Sequence, residues 1–244
     1  MITKIALITG GNRGLGLEVC QQLGRMGFHI ILGARSTSKC QKAAIFLKRK
    51  VLNILVTPVV IDATDLNSIE MLFKFILDKF GKLDILINNA GVYLDNHING
   101  DYPDIFNLDL IILEKTLKVN TFGPFILMQK FIPLMMKYNY GRIVNVSSGM
   151  GRIHDLDTKG PFYRISKLNL NALTIIFAKR VADYNILINS VCPGWISTRM
   201  GGKEATKSVE EGASGIVWAA TLPNGGPSGS FFRDNKKLDW SKKF

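Results

Sequence analysis

The sequence predicts an α/β fold: one doubly wound parallel β-sheet with helices on both faces. Two observations carry this. Short runs rich in β-branched residues alternate with helix-length stretches, and strands that far apart need crossover connections, which make a parallel sheet. The runs are also continuously apolar, as expected of strands covered on both sides. The chain has 244 residues, 47% hydrophobic and 20% charged, enough for a sizeable core. No Pro/Gly/Ser-rich linker and no internal repeat divides it, so residues 1–244 are expected to form a single domain.

The elements follow in order. Lys4 to Thr9 reads as a buried strand, and Leu15 to Met26 as a helix with Val19, Leu23 and Met26 on one stripe. Phe28 to Leu32 is a second strand, Thr37 to Val51 a helix, and Ile54 to Ile61 a third strand. Asp65 is a suitable N-cap for the helix carrying Ile69, Leu72, Phe73 and Ile76. Leu83 to Ile87 is a fourth strand. A helical stretch runs from about Leu108 to Lys137, with Pro124 and Pro133 expected to kink or break it. Arg142 to Val146 is a fifth strand, Phe162 to Asp183 a helix and Ile186 to Val191 a sixth strand. Val209 to Ala220 reads as a helix, and Gly229 to Phe232 as a short closing strand.

Thirty-one Lys and Arg against 19 Asp and Glu give a formal charge of +12. The basic runs Lys48-Arg49-Lys50, Lys236-Lys237 and Lys242-Lys243 are short and far apart, and no basic stripe interleaved with aromatics occurs. A small phosphorylated ligand is therefore expected, with no nucleic-acid partner. Cys20, Cys40 and Cys192 are too few for a disulfide scaffold and form no Cys-x-x-Cys pair, so no metal is expected and a reducing compartment fits. No apolar run reaches the ~18 residues of a membrane span; Phe122 to Met136 comes nearest, interrupted by Gly123, Gln129 and Lys130. Met1-Ile2-Thr3-Lys4 and the four apolar residues after it are too short for a secretory signal. A soluble cytoplasmic protein, without a membrane partner, is expected.

The first strand runs straight into Thr9-Gly10-Gly11-Asn12-Arg13-Gly14-Leu15-Gly16 at the start of the first helix. Glycines there allow a tight turn and let a diphosphate approach free N–H groups at the helix N-terminus. Three further motifs come in register with the elements: Asn88-Asn89-Ala90-Gly91 after the fourth strand, Tyr163-x-x-x-Lys167 in the later helix, and Pro193-Gly194 after the sixth strand. In this order and over nearly the whole chain, they resemble the classical short-chain dehydrogenase/reductase family, whose fold is of the Rossmann type. The glycine loop, Arg35 and Lys118-Val119-Asn120-Thr121-Phe122-Gly123 look most like its carbonyl reductase branch.

The second strand ends in Gly33-Ala34-Arg35 with no carboxylate to meet a ribose 2′-hydroxyl. Arg35, and Arg13 in the loop, are placed to meet a 2′-phosphate, which favours NADPH/NADP+. By resemblance, Gly10, Asn12, Arg13, Gly14, Leu15, Gly16, Arg35, Asp62, Ala63, Asn89, Ala90 and Gly91 line the adenosine and diphosphate side of the coenzyme. Asp62 should contact the adenine and Asn89 the ribose region, although Asp62 also reads as a turn residue. Pro193, Gly194, Ile196 and Thr198 should close over the nicotinamide beside Tyr163 and Lys167.

Tyr163 and Lys167 are four residues apart and share one helix face. Hydride transfer to a carbonyl leaves an oxygen that needs a proton, which a phenol can supply. A nearby ammonium should lower the phenol from its ordinary pKa of ~10, and a shift of ~3 units needs roughly 4 kcal/mol, so the pair should be partly dry. The fifth strand ends in Ser147-Ser148; a hydroxyl there can hold the carbonyl oxygen, and relatives with a double serine use the second, Ser148. The resemblance gives Asn120 the water that links the lysine to solvent; a helix-kink role is the alternative. His154, between Ser148 and Tyr163, reads as a loop residue lining the entrance.

Together these predict an NADPH-dependent oxidoreductase that reduces an aldehyde, ketone or quinone, with Tyr163 as proton donor and acceptor. The alternative is an NADPH-binding sensor or scaffold. Leu94, Met150, Trp195 and Met200 could line an apolar substrate pocket. Mammalian carbonyl reductases carry a long insertion before the tyrosine; this chain lacks it, which leaves a homo-oligomer open.

Overall fold

The computed structural model describes residues 3–95 and 102–240; Met1, Ile2 and the Lys242-Lys243 pair lie outside them. The elements are β1 (Ile5–Thr9), α1 (Gly14–Arg25), β2 (His29–Ala34), α2 (Thr37–Lys50), β3 (Val56–Val60), α3 (Leu66–Phe80), β4 (Ile85–Asn88), α4 (Leu110–Leu117), α5 (Gly123–Lys137), β5 (Gly141–Val146), α6 (Pro161–Arg180), β6 (Ile186–Val191), α7 (Val209–Ala220), β7 (Phe231–Arg233) and β8 (Lys236–Leu238). The strands form one sheet in the order β3-β2-β1-β4-β5-β6-β7-β8. All neighbours are parallel except β7 and β8, which pair antiparallel.

The two faces of the sheet carry separate apolar cores. One joins α1, α2 and α7 through Val19, Leu23, Leu47 and Ile216. The other joins α3, α5 and α6 through Ile69, Ile76, Phe131 and Ala178. This two-sided cover explains why the central strands β1, β4, β5 and β6 are buried along their whole length. At the edge, β3 is half exposed and holds Pro58, a residue that an edge strand tolerates because one side needs no ladder donor. Asp65 caps α3 as expected, its Oδ1 accepting from the Asn67 N–H at 2.9 Å.

Three details depart from the sequence expectation. The helical stretch from Leu108 divides into α4 and α5 through a π-helical turn, Lys118–Phe122, containing Asn120. Pro124, at the start of α5, has no N–H for the carbonyl of Asn120 four residues earlier, so the α-ladder opens there. Pro133 lies inside α5 without ending it. The strand β8 has no apolar pattern to announce it; Lys236 and Lys237 are exposed on the sheet's outer edge, where charge discourages further pairing.

At the amino end of β5, opposite the strand ends that form the site, Arg142 is fully buried. Its Nε donates to the Leu222 carbonyl at 2.8 Å, Nη1 to the Gly141 and Asn185 carbonyls at 2.8 and 3.1 Å, and Nη2 to Asn224 Oδ1 at 2.9 Å. One cation thus ties β5 to the segments before β6 and after α7. Arg142→Met is expected to lower the unfolding free energy by about 2–4 kcal/mol, because it strands these acceptors. Urea unfolding checks this, and an unchanged midpoint would contradict it.

Candidate functional site

A cleft of about 1,690 Å³ runs across the carboxyl ends of the strands. It lies where the chain, having wound outward from β1 to β3, returns to place β4 on the other side of β1. Doubly wound sheets hold ligands at such a switch point. The volume exceeds the ~300–1,000 Å³ of a single small-molecule pocket, leaving room for a dinucleotide and a second molecule. Its lining brings together Gly10, Asn12, Arg13, Gly14, Leu15, Gly16, Arg35, Asp62, Ala63, Asn89, Ala90, Gly91, Ser148, Tyr163, Lys167, Pro193, Gly194, Ile196 and Thr198.

The glycine loop is built for close approach. A Cβ on Gly16 would run into the Gly10 carbonyl and the Asn89 amide, and Gly14 sits at φ 51, in the left-handed region. The loop is braced from β4. The Asn89 side chain donates to the carbonyls of Thr9 at 2.8 Å and Gly10 at 3.3 Å, while the Thr9 hydroxyl accepts from the N–H groups of Asn89 and Ala90, each at 3.0 Å. Asn89 therefore lines the cleft as a brace for the loop. Arg13, at the N-cap of α1, makes no side-chain cap, and the first turn of α1 holds no acidic residue. Arg13 and Arg35 are exposed and form no ion pair among the described residues. Asp62 Oδ1 accepts from the Thr64 N–H and hydroxyl at 2.9 and 2.8 Å, so it holds a turn and lines the cleft at once. These residues fit an anionic dinucleotide: an uncapped helix start, a glycine cradle and two cations with no acidic partner.

At the other end of the cleft, Tyr163 and Lys167 project from α6, 8% and 5% exposed. The pair was expected to be partly dry, and both side chains are buried. Lys167 Nζ donates to the Val146 carbonyl at 2.9 Å and lies 5.6 Å from the centre of the Tyr163 ring. Ser148 lines the cleft beside Tyr163, and its Oγ accepts from the Met150 N–H at 3.2 Å. Ser147 turns the other way, its hydroxyl donating to the Lys167 carbonyl at 3.5 Å.

The electrostatics correct one expectation. Lys167 was expected to make the phenol acidic; instead burial pushes the Tyr163 phenol above its usual range, with Cys192 and Asp95 adding to the rise and only the Ser148 hydrogen bond opposing it. Burial also lowers Lys167 to about 8. Desolvation penalises both charged forms and is the largest cause of each shift. Tyr163 is thus a neutral phenol near pH 7, the form that can give a proton.

Asn120 does not line the cleft. It is fully buried behind Gly91, its Oδ1 accepting from the Val92 N–H at 2.9 Å and its Nδ2 donating to the Val92 carbonyl at 2.8 Å and Ser166 Oγ at 3.0 Å. A Cβ on Gly91 would lie 3.3 Å from Asn120 Oδ1 and 3.5 Å from Lys167 Nζ, so the three groups converge there. His154 is exposed and outside the cleft lining; Asp155 lines it instead. Leu94, Met150, Trp195 and Met200 all line the cleft, and Trp195 Nε1 donates to the Gly201 carbonyl at 2.7 Å, folding the segment after β6 back on itself. Sequence reading missed Tyr93, stacked on Tyr163 with ring centres 4.4 Å apart, and Asp95, bonded to the backbone of α6. Nothing in the local pattern of the segment after β4 signals either contact.

A family model described as short chain dehydrogenase matches residues 4–208. The chain is 37% identical over 234 residues to the short-chain dehydrogenase anuI of Penicillium roqueforti, covering 90% of each. It is 30% identical to carbonyl reductase (NADPH) 1 of Sus scrofa, covering 98% of this chain and 94% of the relative. Among solved structures, salutaridine reductase from Papaver somniferum superposes with a TM-score of 0.80 at 29% identity, covering 94% of this chain and 99% of that one.

The lowered Lys167 has a consequence for stability. Lys167 binds its proton less tightly in the folded chain (about 8) than at the ordinary value of 10.5. Between those values the unfolded state holds more protons, so the penalty for burying the ammonium is full below pH 8 and fades as pH rises. The stability of the unsubstituted protein is therefore expected to gain on that of Lys167→Met between pH 7 and pH 9.5. Urea unfolding of both at the two pH values measures this, and a pH-independent difference would contradict it.

Proposed function

The chain belongs to the short-chain dehydrogenase family, and from that premise we propose that it is an NADPH-dependent oxidoreductase reducing aldehydes, ketones or quinones to alcohols. The observation that carries this reading is the convergence of Ser148, Tyr163 and buried Lys167 in the same cleft as the glycine loop. A sensor that bound NADPH without turnover would not need these three groups on one wall. The whole chain, residues 1–244, acts as one unit, and its three buried free cysteines suit a reducing cytoplasm. Among the described residues no helix is long and apolar enough to cross a membrane. Exposed Leu110, Ile111, Phe122 and Phe125 give α4 and the start of α5 an apolar face suited to self-association.

The N–H groups at the start of α1 receive the coenzyme's diphosphate, and Gly14 and Gly16 let it come close. Arg13 and Arg35 hold the 2′-phosphate through charge-assisted hydrogen bonds. Asp62, Ala63, Ala90 and Gly91 flank the adenosine side, and Pro193, Gly194, Ile196 and Thr198 cover the nicotinamide side. Bound NADPH supplies the hydride. Ser148 and Tyr163 hold the substrate's carbonyl oxygen with two hydroxyls, stabilising the charge that develops on it. Tyr163, kept neutral by burial, then gives that oxygen its proton. Lys167 compensates the phenolate that remains, and Asn120 supports its re-protonation from behind Gly91. The apolar residues Leu94, Met150, Trp195 and Met200 receive the rest of an aromatic or aliphatic carbonyl substrate.

Two measurements test this. Tyr163→Phe is expected to lower kcat for NADPH-driven carbonyl reduction by roughly 10²- to 10⁴-fold while still binding NADPH; retained turnover would overturn the assignment. Arg35→Asp should shift the kcat/KM preference from NADPH toward NADH by on the order of 10²-fold, since it replaces a phosphate-binding cation with a carboxylate that accepts from a ribose hydroxyl. An unchanged preference would remove Arg35 from the phosphate site.

A further inference from the structure

We infer that Asp95 is the positioning residue for Tyr163, a buried carboxylate reaching from the segment after β4 to cap the helix that carries the phenol. The inference rests on the reading of Tyr163 as proton donor. It starts from a defect at the start of α6. The N-cap is Gly160, at φ 66 and with no side chain to bond the first turn, and Pro161 follows at the first helical position without an N–H. The first donors needing a partner are therefore those of Phe162 and Tyr163 itself.

Asp95 meets both. Its Oδ2 accepts from the Phe162 N–H at 2.6 Å, and both oxygens lie 3.2 Å from the Tyr163 nitrogen. The carboxylate is fully buried and makes no ion pair among the described residues. Its compensation comes from the backbone N–H groups and the positive end of the helix dipole. Losing either would leave a buried charge uncompensated, so backbone and carboxylate are held in register. Two residues earlier in the same segment, Tyr93 stacks on the Tyr163 ring at 4.4 Å and 24°. A Cβ on Gly160 would collide with the Tyr93 hydroxyl, so the helix start and the stacked ring fit only with glycine there. The segment thus grips Tyr163 at its backbone and at its ring face, 68 residues away in sequence.

The charge has a second effect. The groups around the phenol are Tyr93 on its ring face, Ser148 and Cys192 at the strand ends, Lys167 one turn along α6, and Asp95 at the helix start, with Arg164 acting on Tyr93. Asp95 opposes a second negative charge and so helps keep the phenol protonated.

Asp95→Asn keeps an acceptor of the same size and removes the charge; Asp95→Ala removes both; Asp95→Glu restores a carboxylate. The test measures NADPH-driven carbonyl reduction, the pH profile of alcohol oxidation with NADP+, NADPH binding and thermal unfolding for each. Asp95→Ala is expected to lower kcat about tenfold or more, with NADPH affinity little changed, because the donor is displaced while the coenzyme side stays intact. Asp95→Asn should retain more kcat than Asp95→Ala, yet shift the acidic limb of alcohol oxidation to lower pH, and Asp95→Glu should bring that limb back. A purely structural cap would not move the limb. If Asp95→Ala fails to fold, the limb of Asp95→Asn decides. Unchanged kcat and an unchanged limb in Asp95→Asn, with Tyr163→Phe inactive, overturn the inference and leave the proposed function standing; an active Tyr163→Phe overturns the function instead.

Discussion

Desolvation of a tyrosine and a lysine on one helix face is the constraint around which the molecule is arranged. Tyr163 and Lys167 are almost entirely buried, at the carboxyl end of the sheet. Neither charged form is comfortable there, so the phenol stays neutral and the ammonium titrates near 8. Burial thus moves the lysine toward neutral pH and the phenol away from it. On a solvated helix face the same two residues would be ordinary decoration. The work of the fold is to keep them dry while leaving the phenol reachable from the cleft.

The surrounding polar contacts serve that end. Lys167 is held by the Val146 carbonyl, at the end of β5. Ser166, between the two, donates to the Tyr163 carbonyl at 2.7 Å and accepts from Asn120, which in turn clasps the backbone of Val92. The segment after β4 is therefore bonded to α6 on one side, through Asn120 and Asp95, and to the glycine loop on the other, through Asn89 and Thr9. The glycine loop and the helix carrying Tyr163 share one short stretch of chain as their common support. That explains why the π-turn at Asn120 is maintained in an otherwise regular helical region: it turns the amide toward Val92 and Ser166.

Much of this was legible from the residues. The βα alternation gave a parallel sheet covered on both faces, though not its strand order, and the glycine loop, Tyr163 and Lys167 are local patterns tied to neighbouring elements. Arg13 and Arg35 were singled out through an absence, the missing acid after the second strand, and both line the cleft. What escaped notice is of a different kind. Asp95 and Tyr93 act on a helix 68 residues distant, and no periodicity or cap motif reports a partner that tertiary structure supplies. The direction of the Tyr163 shift was misjudged for a related reason: spacing showed the attraction between phenol and ammonium, while the depth of burial, which governs the balance, emerges only from packing. The break at Asn120 was assigned to the prolines in general, and the structure divides their roles, Pro124 opening the helix and Pro133 riding within it.

The most direct test is a crystal structure with NADP+ and a carbonyl-containing competitive inhibitor. The account predicts the inhibitor's carbonyl oxygen within about 2.6–3.2 Å of both the Tyr163 and Ser148 hydroxyls, with the coenzyme's phosphates against the start of α1. An inhibitor oxygen bonded elsewhere in the cleft, with the Tyr163 hydroxyl facing away from it, would contradict the account.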